Sequence, residues 1–174
     1  MRPGGVVSLP PVVARRGRVD AVWKHVISPA EADALAVRLL GDLRTKLGGP
    51  HIAHARRVAA RVADTGDDSV IAAALLHDVV EKGRISVAEL LTATGDVRVV
   101  ELVEVLTQRE GESDYDYLSR CAAHPAALAI MRVDLLDKFV ADDSEVPAAT
   151  AERVRRRAGQ RLALLERLAL RSQD

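Results

Sequence analysis

A histidine and an aspartate, His77 and Asp78, end the most apolar segment of the chain, which begins at Ile71. Burying an unpaired carboxylate costs several kcal/mol, so this position predicts a compensating partner. A divalent metal ion is such a partner, because neutral imidazole and carboxylate are both good ligands for borderline cations. Two further donors stand in helical-looking segments, His54 upstream and Asp137 downstream. The predicted metal ligands are therefore His54, His77, Asp78 and Asp137.

Four protein ligands would leave positions on the ion open to solvent, which favours hydrolytic chemistry, because a divalent ion acidifies a water that it binds. Glu81 lies four residues after His77, one helical turn along the same face, so it could orient or deprotonate that water. The competing interpretation is that Glu81 is a solvated side chain near a helix end. Nitrogen and oxygen donors without thiolate suit Mn, Fe, Zn or Co, and the pattern does not choose among these ions.

The segments that must position these residues are predicted to be helical. Alanine, leucine, arginine and glutamate are abundant, whereas aromatic residues make up 2% of the chain. Ser28 and Ser86 each precede a glutamate by three residues, which is the capping-box pattern of a helix start. Apolar spacing predicts a helix from about Ile52 to Gly66, and then a buried central helix that ends at Gly83.

The remaining helices follow from the same capping and spacing rules, and strand patterns are nearly absent. They are predicted over residues 29–46 or 29–47, 86–94, 96–107, 115–122, 125–138 and 148–170. The fold class is therefore predicted to be all-α. Prolines and glycines predict an irregular amino-terminal arm over residues 1–20, and residues 21–174 are predicted to form a single helical domain.

Charge and cysteine content restrict the partners of the chain. Lysine plus arginine and aspartate plus glutamate number 25 each, so no overall field attracts nucleic acid or an anionic membrane. The single cysteine, Cys121, excludes an intramolecular disulfide and suits a reducing compartment. No segment approaches the ~20 apolar residues that span a bilayer. We therefore expect a soluble cytoplasmic protein with no nucleic-acid or membrane partner.

Three segments resemble, in order and spacing, the metal-binding segments of HD-superfamily phosphohydrolases. These segments are residues 54–59, 72–81 and 133–138. The likeness is closest to the hydrolases of the alarmone (p)ppGpp and extends over roughly residues 44–141. It implies an all-helical HD-domain bundle with a metal site between central helices and a Mn-type ion held by the four predicted ligands. It also implies hydrolysis of the 3′-pyrophosphate of a guanosine nucleotide, a small-molecule partner.

The resemblance also implies contacts to substrate. Family members carry a basic pair before the first ligand, and Lys46 with Arg44 or Thr45 stands there. Apart from the resemblance, Arg109 and Arg120 bracket a charged loop and are further candidate contacts to a phosphate, with solvent-facing loop charges as the alternative interpretation. His51 occupies the position of a family tyrosine and precedes His54 by three residues, so it is an alternative ligand.

Two positions depart from the family pattern. The family's catalytic Glu-Asp pair is Glu81 and Lys82 here, and Lys82 could pair with Asp78 or bind a substrate phosphate. The family's asparagine four residues after the last ligand is Ala141 here, which removes an expected nucleotide contact. Three hypotheses therefore stay open: a metal-dependent phosphohydrolase, a catalytically weakened regulatory or nucleotide-sensing module, and a helical bundle without metal. The sequence also leaves a homo-oligomer open.

Overall fold

The computed structural model describes residues 26–171, and the predicted arm over residues 1–20 lies outside them. Within this range the chain forms eight α-helices and no strand, which confirms the all-α prediction. The helices are α1 (Pro29–Leu40), α2 (His51–Val62), α3 (Asp68–Leu76), α4 (Val87–Thr94), α5 (Val97–Leu106), α6 (Asp114–Ala122), α7 (Pro125–Val140) and α8 (Ala148–Arg171).

The helix starts form as the sequence predicts. Ser28 and Ser86 each accept a hydrogen bond from the backbone N–H of the glutamate three residues on, and that glutamate side chain accepts from the serine N–H. These reciprocal bonds satisfy amide groups that a helix start otherwise leaves without partners. Asp67 and Asp96 cap α3 and α5 by accepting backbone N–H bonds.

The first helix is shorter than predicted. It ends at Leu40, and the chain then folds into a tight loop in which the N–H of Thr45 donates to the carbonyl of Gly49 at 2.8 Å. Gly48 has a φ of 93°, a backbone conformation that glycine adopts without steric cost. This loop leads directly into α2, so the helix break places the loop beside the helix that carries His54.

The third helix also ends earlier than predicted, at Leu76 rather than at Gly83. The reason is local, because the Nδ1–H of His77 donates to the carbonyl of Ala74 at 2.8 Å. Residues 77–83 continue as consecutive turns. His77 and Asp78 therefore lie at the point where the helix opens into turns.

The core surrounds α3, whose residues from Ala72 to Leu76 are all buried. This helix packs against α1, α2 and α5, while α7 packs against α2 and α8. The carboxyl-terminal end of α3 thus meets the facing sides of α2 and α7. No helix among residues 26–171 is long and apolar enough to cross a membrane.

Candidate metal centre

His77 presents an unsatisfied buried nitrogen to the interior. Its Nδ1–H donates to the carbonyl of Ala74, so Nε2 is the ring nitrogen that can bind another group. That Nε2 is buried and has no hydrogen-bond partner among the described residues. Buried polar atoms are nearly always paired, so an orphaned one requires a specific explanation. A metal ion is one such explanation, since imidazole nitrogen is a common metal ligand.

Two other donors face the same space. The Nε2 of His54, on α2, lies 3.1 Å from the Oδ1 of Asp134, on α7. The Nε2 of His77 lies 3.6 Å from the same carboxylate oxygen. One ligand atom from each of these three buried residues lies within 4.8 Å of the others. The arrangement therefore offers two imidazole nitrogens and one carboxylate oxygen to a single point.

Asp78 lies at the edge of this group. Its Oδ2 is 3.5 Å from the Nε2 of His77, and the Nε2–H of His51 donates to the same oxygen at 2.6 Å. The structure therefore brings the predicted ligands His54, His77 and Asp78 together. His51, the alternative ligand, donates a hydrogen bond to Asp78.

The fourth predicted ligand, Asp137, is not brought into this group. Its Oδ2 accepts a hydrogen bond from the Nδ1 of His54 at 2.8 Å, on the other side of the imidazole ring from Nε2. The residue that faces the centre from α7 is Asp134, which the sequence reasoning missed. Both aspartates belong to one segment and lie three residues apart, so helical periodicity alone did not separate them. With Asp134 as the reference point, the position four residues on is Lys138 rather than Ala141.

The charges of the centre are closely coupled. Burial alone would lower the pKa of His77, but the carboxylates of Asp78 and Asp134 outweigh burial and raise this pKa to about 9. Burial would raise the pKa of both carboxyls, but His77 and Lys82 beside Asp78, and Lys138 with the two imidazoles beside Asp134, hold these pKa values well below their ordinary range. Both aspartates are therefore ionised at neutral pH, the form that binds a cation.

A lysine follows each of these aspartates by one helical turn. The Nζ of Lys82 lies 3.7 Å from the Oδ1 of Asp78 and donates to the Oε1 of Glu81 at 3.0 Å. Lys138 pairs with the Oδ1 of Asp134. The predicted catalytic residues Glu81 and Lys82 thus adjoin the centre, and their side chains are 40% and 31% exposed.

The predicted substrate contacts lie on surface loops. Arg44 and Lys46 are exposed in the loop before α2, where Arg44 pairs with Glu145. Arg109 is exposed in the loop after α5, and its backbone N–H donates to Glu112. Within residues 26–171, none of these three residues forms a hydrogen bond or ion pair with a side chain of the centre.

The fold and the site define a helical metal-binding domain. A sequence profile described as HD domain matches residues 32–158, more than half of the chain. The chain belongs to this HD domain family, which confirms the resemblance seen in its motifs. The family implies a divalent metal ion, and the chemistry of the donors fits one, because the orphaned Nε2 of His77 would gain a partner.

Two relatives extend the comparison. The chain is 40% identical over 94 residues to the probable guanosine-3′,5′-bis(diphosphate) 3′-pyrophosphohydrolase of Synechocystis sp. (strain ATCC 27184 / PCC 6803 / Kazusa). This alignment covers 53% of the chain but only 12% of that relative. A solved structure, described as a metazoan orthologue of SpoT that hydrolyses ppGpp and plays a role in starvation responses, has a TM-score of 0.63 and 22% identity. It aligns with 83% of this chain and 91% of its own, and at this identity the likeness shows the fold.

Proposed function

We propose that the chain is a metal-dependent phosphohydrolase that releases pyrophosphate from the 3′ position of guanosine 3′,5′-bis(diphosphate) or a closely related nucleotide. The observation that supports it is the buried convergence of His54, His77 and Asp134, in which the Nε2 of His77 has no hydrogen-bond partner among residues 26–171. The substrate class is supported by the activities named for the two relatives.

In this proposal His54, His77 and Asp134 hold the ion, and Asp78 completes the set from its edge. We propose Mn as the native ion, with Fe, Zn and Co as alternatives that the same donors accept. The chemistry that a divalent ion supplies when bound is polarisation of a phosphoryl oxygen and acidification of a water.

The side chains at the edge of the centre would transfer the proton of the attacking water and offset the negative charge of the substrate. Water oxygen attacks the 3′-linked phosphorus, the bond from phosphorus to the 3′ oxygen breaks, and pyrophosphate leaves. Glu81 takes the proton of the attacking water and returns it to the departing 3′ oxygen, a role that its 40% exposed position beside the centre permits. Lys82 and Lys138 offset the carboxylate charge and donate to substrate phosphates, and Arg44, Lys46 and Arg109 are proposed as further phosphate contacts.

Metal analysis and product release test this function together. Protein without a histidine tag should contain one equivalent of a divalent metal after incubation with Mn²⁺ and removal of free ion. With Mn²⁺ it should release pyrophosphate from guanosine 3′,5′-bis(diphosphate) faster than from GTP or deoxynucleoside triphosphates. Asp134→Asn should abolish both properties, whereas Asp33→Asn, at an exposed pair with Arg56, should keep both. Bound metal without turnover of any of these nucleotides removes the hydrolase proposal.

A regulatory nucleotide-sensing module is the second candidate, and the pairing of Lys82 with Glu81 favours it. If the lysine has silenced catalysis by holding Glu81, then Lys82→Asp should create or sharply raise pyrophosphate release. A competent hydrolase should instead change little or lose activity in this variant. Nucleotide affinity, measured by calorimetry in parallel, separates a lost substrate contact from a change in the chemical step.

A further inference from the structure

Asp137 is one of the most deeply buried charged groups among the described residues, with a side chain only 1% exposed. Its side-chain hydrogen bonds among the described residues all come from N–H donors. The Nδ1–H of His54 donates to Oδ2 at 2.8 Å, Arg57 donates to both oxygens at 2.9 and 2.8 Å, and Arg61 donates to Oδ1 at 2.8 Å. The carboxylate accepts four hydrogen bonds, two at each oxygen, and all four come from protein groups.

Two arginines compensate the burial of this carboxylate. Their guanidinium groups donate three hydrogen bonds to the carboxylate at 2.8–2.9 Å and place two positive charges beside it, which offsets the cost of burying the ionised form. The arginine side chains are 41% and 37% exposed, so their outer faces remain hydrated while their inner N–H groups reach the carboxylate. Asp137 is therefore an ionised carboxylate fixed from two sides and only able to accept.

An acceptor fixed at Nδ1 determines the tautomer of His54. A carboxylate that accepts from Nδ1 requires the hydrogen there, so a neutral ring carries its lone pair on Nε2. That Nε2 faces Asp134 at 3.1 Å and, with His77, the point where the donors converge. The same contact fixes the plane of the ring, because a rotation about χ2 would break a 2.8 Å hydrogen bond to a group that cannot follow.

We propose that Asp137 is a positioning residue that sets the tautomer and orientation of His54 for metal binding, with Arg57 and Arg61 fixing the carboxylate in turn. This inference rests on the proposed metal centre. Carboxylates that hold the far nitrogen of a metal-binding histidine raise the basicity of the ligand, and their loss typically lowers metal affinity by about 10–100-fold. Asp137 thereby acts through His54 rather than through contact with an ion.

Metal titration of three variants tests this role. Mn²⁺ binding is followed by the electron paramagnetic resonance signal of the free ion in the wild type, Asp137→Asn, Asp134→Asn and Asp33→Asn. Asp33 is the matched control, because it also accepts two hydrogen bonds from an arginine of α2 but lies away from the centre. We expect Asp137→Asn to bind one equivalent with an affinity lowered by about 10–100-fold, Asp134→Asn to lose stoichiometric binding, and Asp33→Asn to match the wild type.

The tautomer of His54 can be determined without a substitution, by nitrogen-15 NMR of the wild type loaded with Zn²⁺. Zn²⁺ is used because it is diamagnetic. Nitrogen-15 spectra should show the hydrogen of His54 on Nδ1. This check keeps the inference falsifiable should Asp137→Asn fail to fold. A hydrogen on Nε2, or unchanged Mn²⁺ affinity in folded Asp137→Asn, overturns the positioning role. Loss of all binding in Asp137→Asn, as in Asp134→Asn, makes Asp137 a ligand and also overturns it. Absence of binding in the wild type instead removes the proposed function itself.

Discussion

Two clusters of charged groups, one buried and one half-buried, differ in how completely the protein satisfies their hydrogen bonds. In the candidate metal centre, the Nε2 of His77 has no hydrogen-bond partner among the described residues. In a second cluster, here called the loop anchor and formed by Arg120 and Glu112, the guanidinium donates to both carboxylate oxygens and to the carbonyls of Glu104, Val105 and Thr107. The polar groups of the loop anchor are paired within the protein, whereas the candidate metal centre keeps one buried nitrogen without a hydrogen bond.

Charged groups that are fully hydrogen-bonded within the protein stabilise the fold, whereas a buried polar atom without a hydrogen bond marks a candidate binding site. Arg120 donates to the carbonyl groups of Glu104 and Val105 in the last turn of α5, so it acts as a side-chain cap for that helix. Arg120 also pairs with Glu112, in the loop that contains the predicted phosphate contact Arg109. This loop is therefore fixed by a side chain whose hydrogen bonds are made within the fold. A buried cluster with one atom left over is the better indicator of a binding site than charge alone.

His77→Ala should have the largest effect on the candidate metal centre. Removal of a ligand should reduce pyrophosphate release to the uncatalysed background and abolish stoichiometric Mn²⁺ binding. It should also remove the stabilisation that Mn²⁺ gives the wild type, about 2.7 kcal/mol at 100 times the dissociation constant. Denaturant unfolding with and without Mn²⁺ measures this increment. An increment that survives in His77→Ala would place the ion elsewhere.

The loop anchor should show the opposite pattern. Arg120→Met keeps much of the side-chain length but removes the guanidinium donors from Glu112 and from three backbone carbonyl groups. We expect the free energy of unfolding to fall by about 1–3 kcal/mol, because half-buried acceptors lose a charged donor. Mn²⁺ affinity of the folded protein should equal that of the wild type, which the free-ion titration checks. A large fall in affinity would show that the two clusters are coupled.

The stability that the loop anchor supplies should depend on pH. Burial would raise the pKa of Glu112, but hydrogen bonds from Arg120 and the N–H of Arg109 outweigh burial and hold the pKa below 4.5. A carboxyl with a lowered folded pKa contributes stability above its unfolded pKa and loses it as pH falls through the folded pKa. Glu112→Gln should therefore cost about 1–2 kcal/mol at neutral pH, and the difference from the wild type should shrink below pH 4.5. A difference that is constant with pH would contradict the ionic role.

The sequence predicts those parts of the molecule that short-range chemistry determines. Ser28 and Ser86 show their capping boxes in a few residues of sequence, and both helices begin as predicted. The end of α3 was missed, because the side chain of His77 takes the carbonyl of Ala74, a contact that apolar periodicity does not encode. Whether Asp134 or Asp137 faces the centre depends on how α7 is rotated against α2, which is a property of packing between distant segments.

The smallest expected effect concerns the lysine that pairs with Asp134. Lys138 is one turn from this carboxylate and competes with a cation for Oδ1. In Lys138→Met we expect Mn²⁺ affinity to rise by about 3–10-fold, because a partly screened positive charge beside the ligand is removed. Arg38→Met, which removes the same charge from an exposed position of α1, is the control and should leave the affinity unchanged. Weaker binding in Lys138→Met would mean that the lysine orders Asp134 for the ion instead of competing with it, so the same titration decides between the two roles.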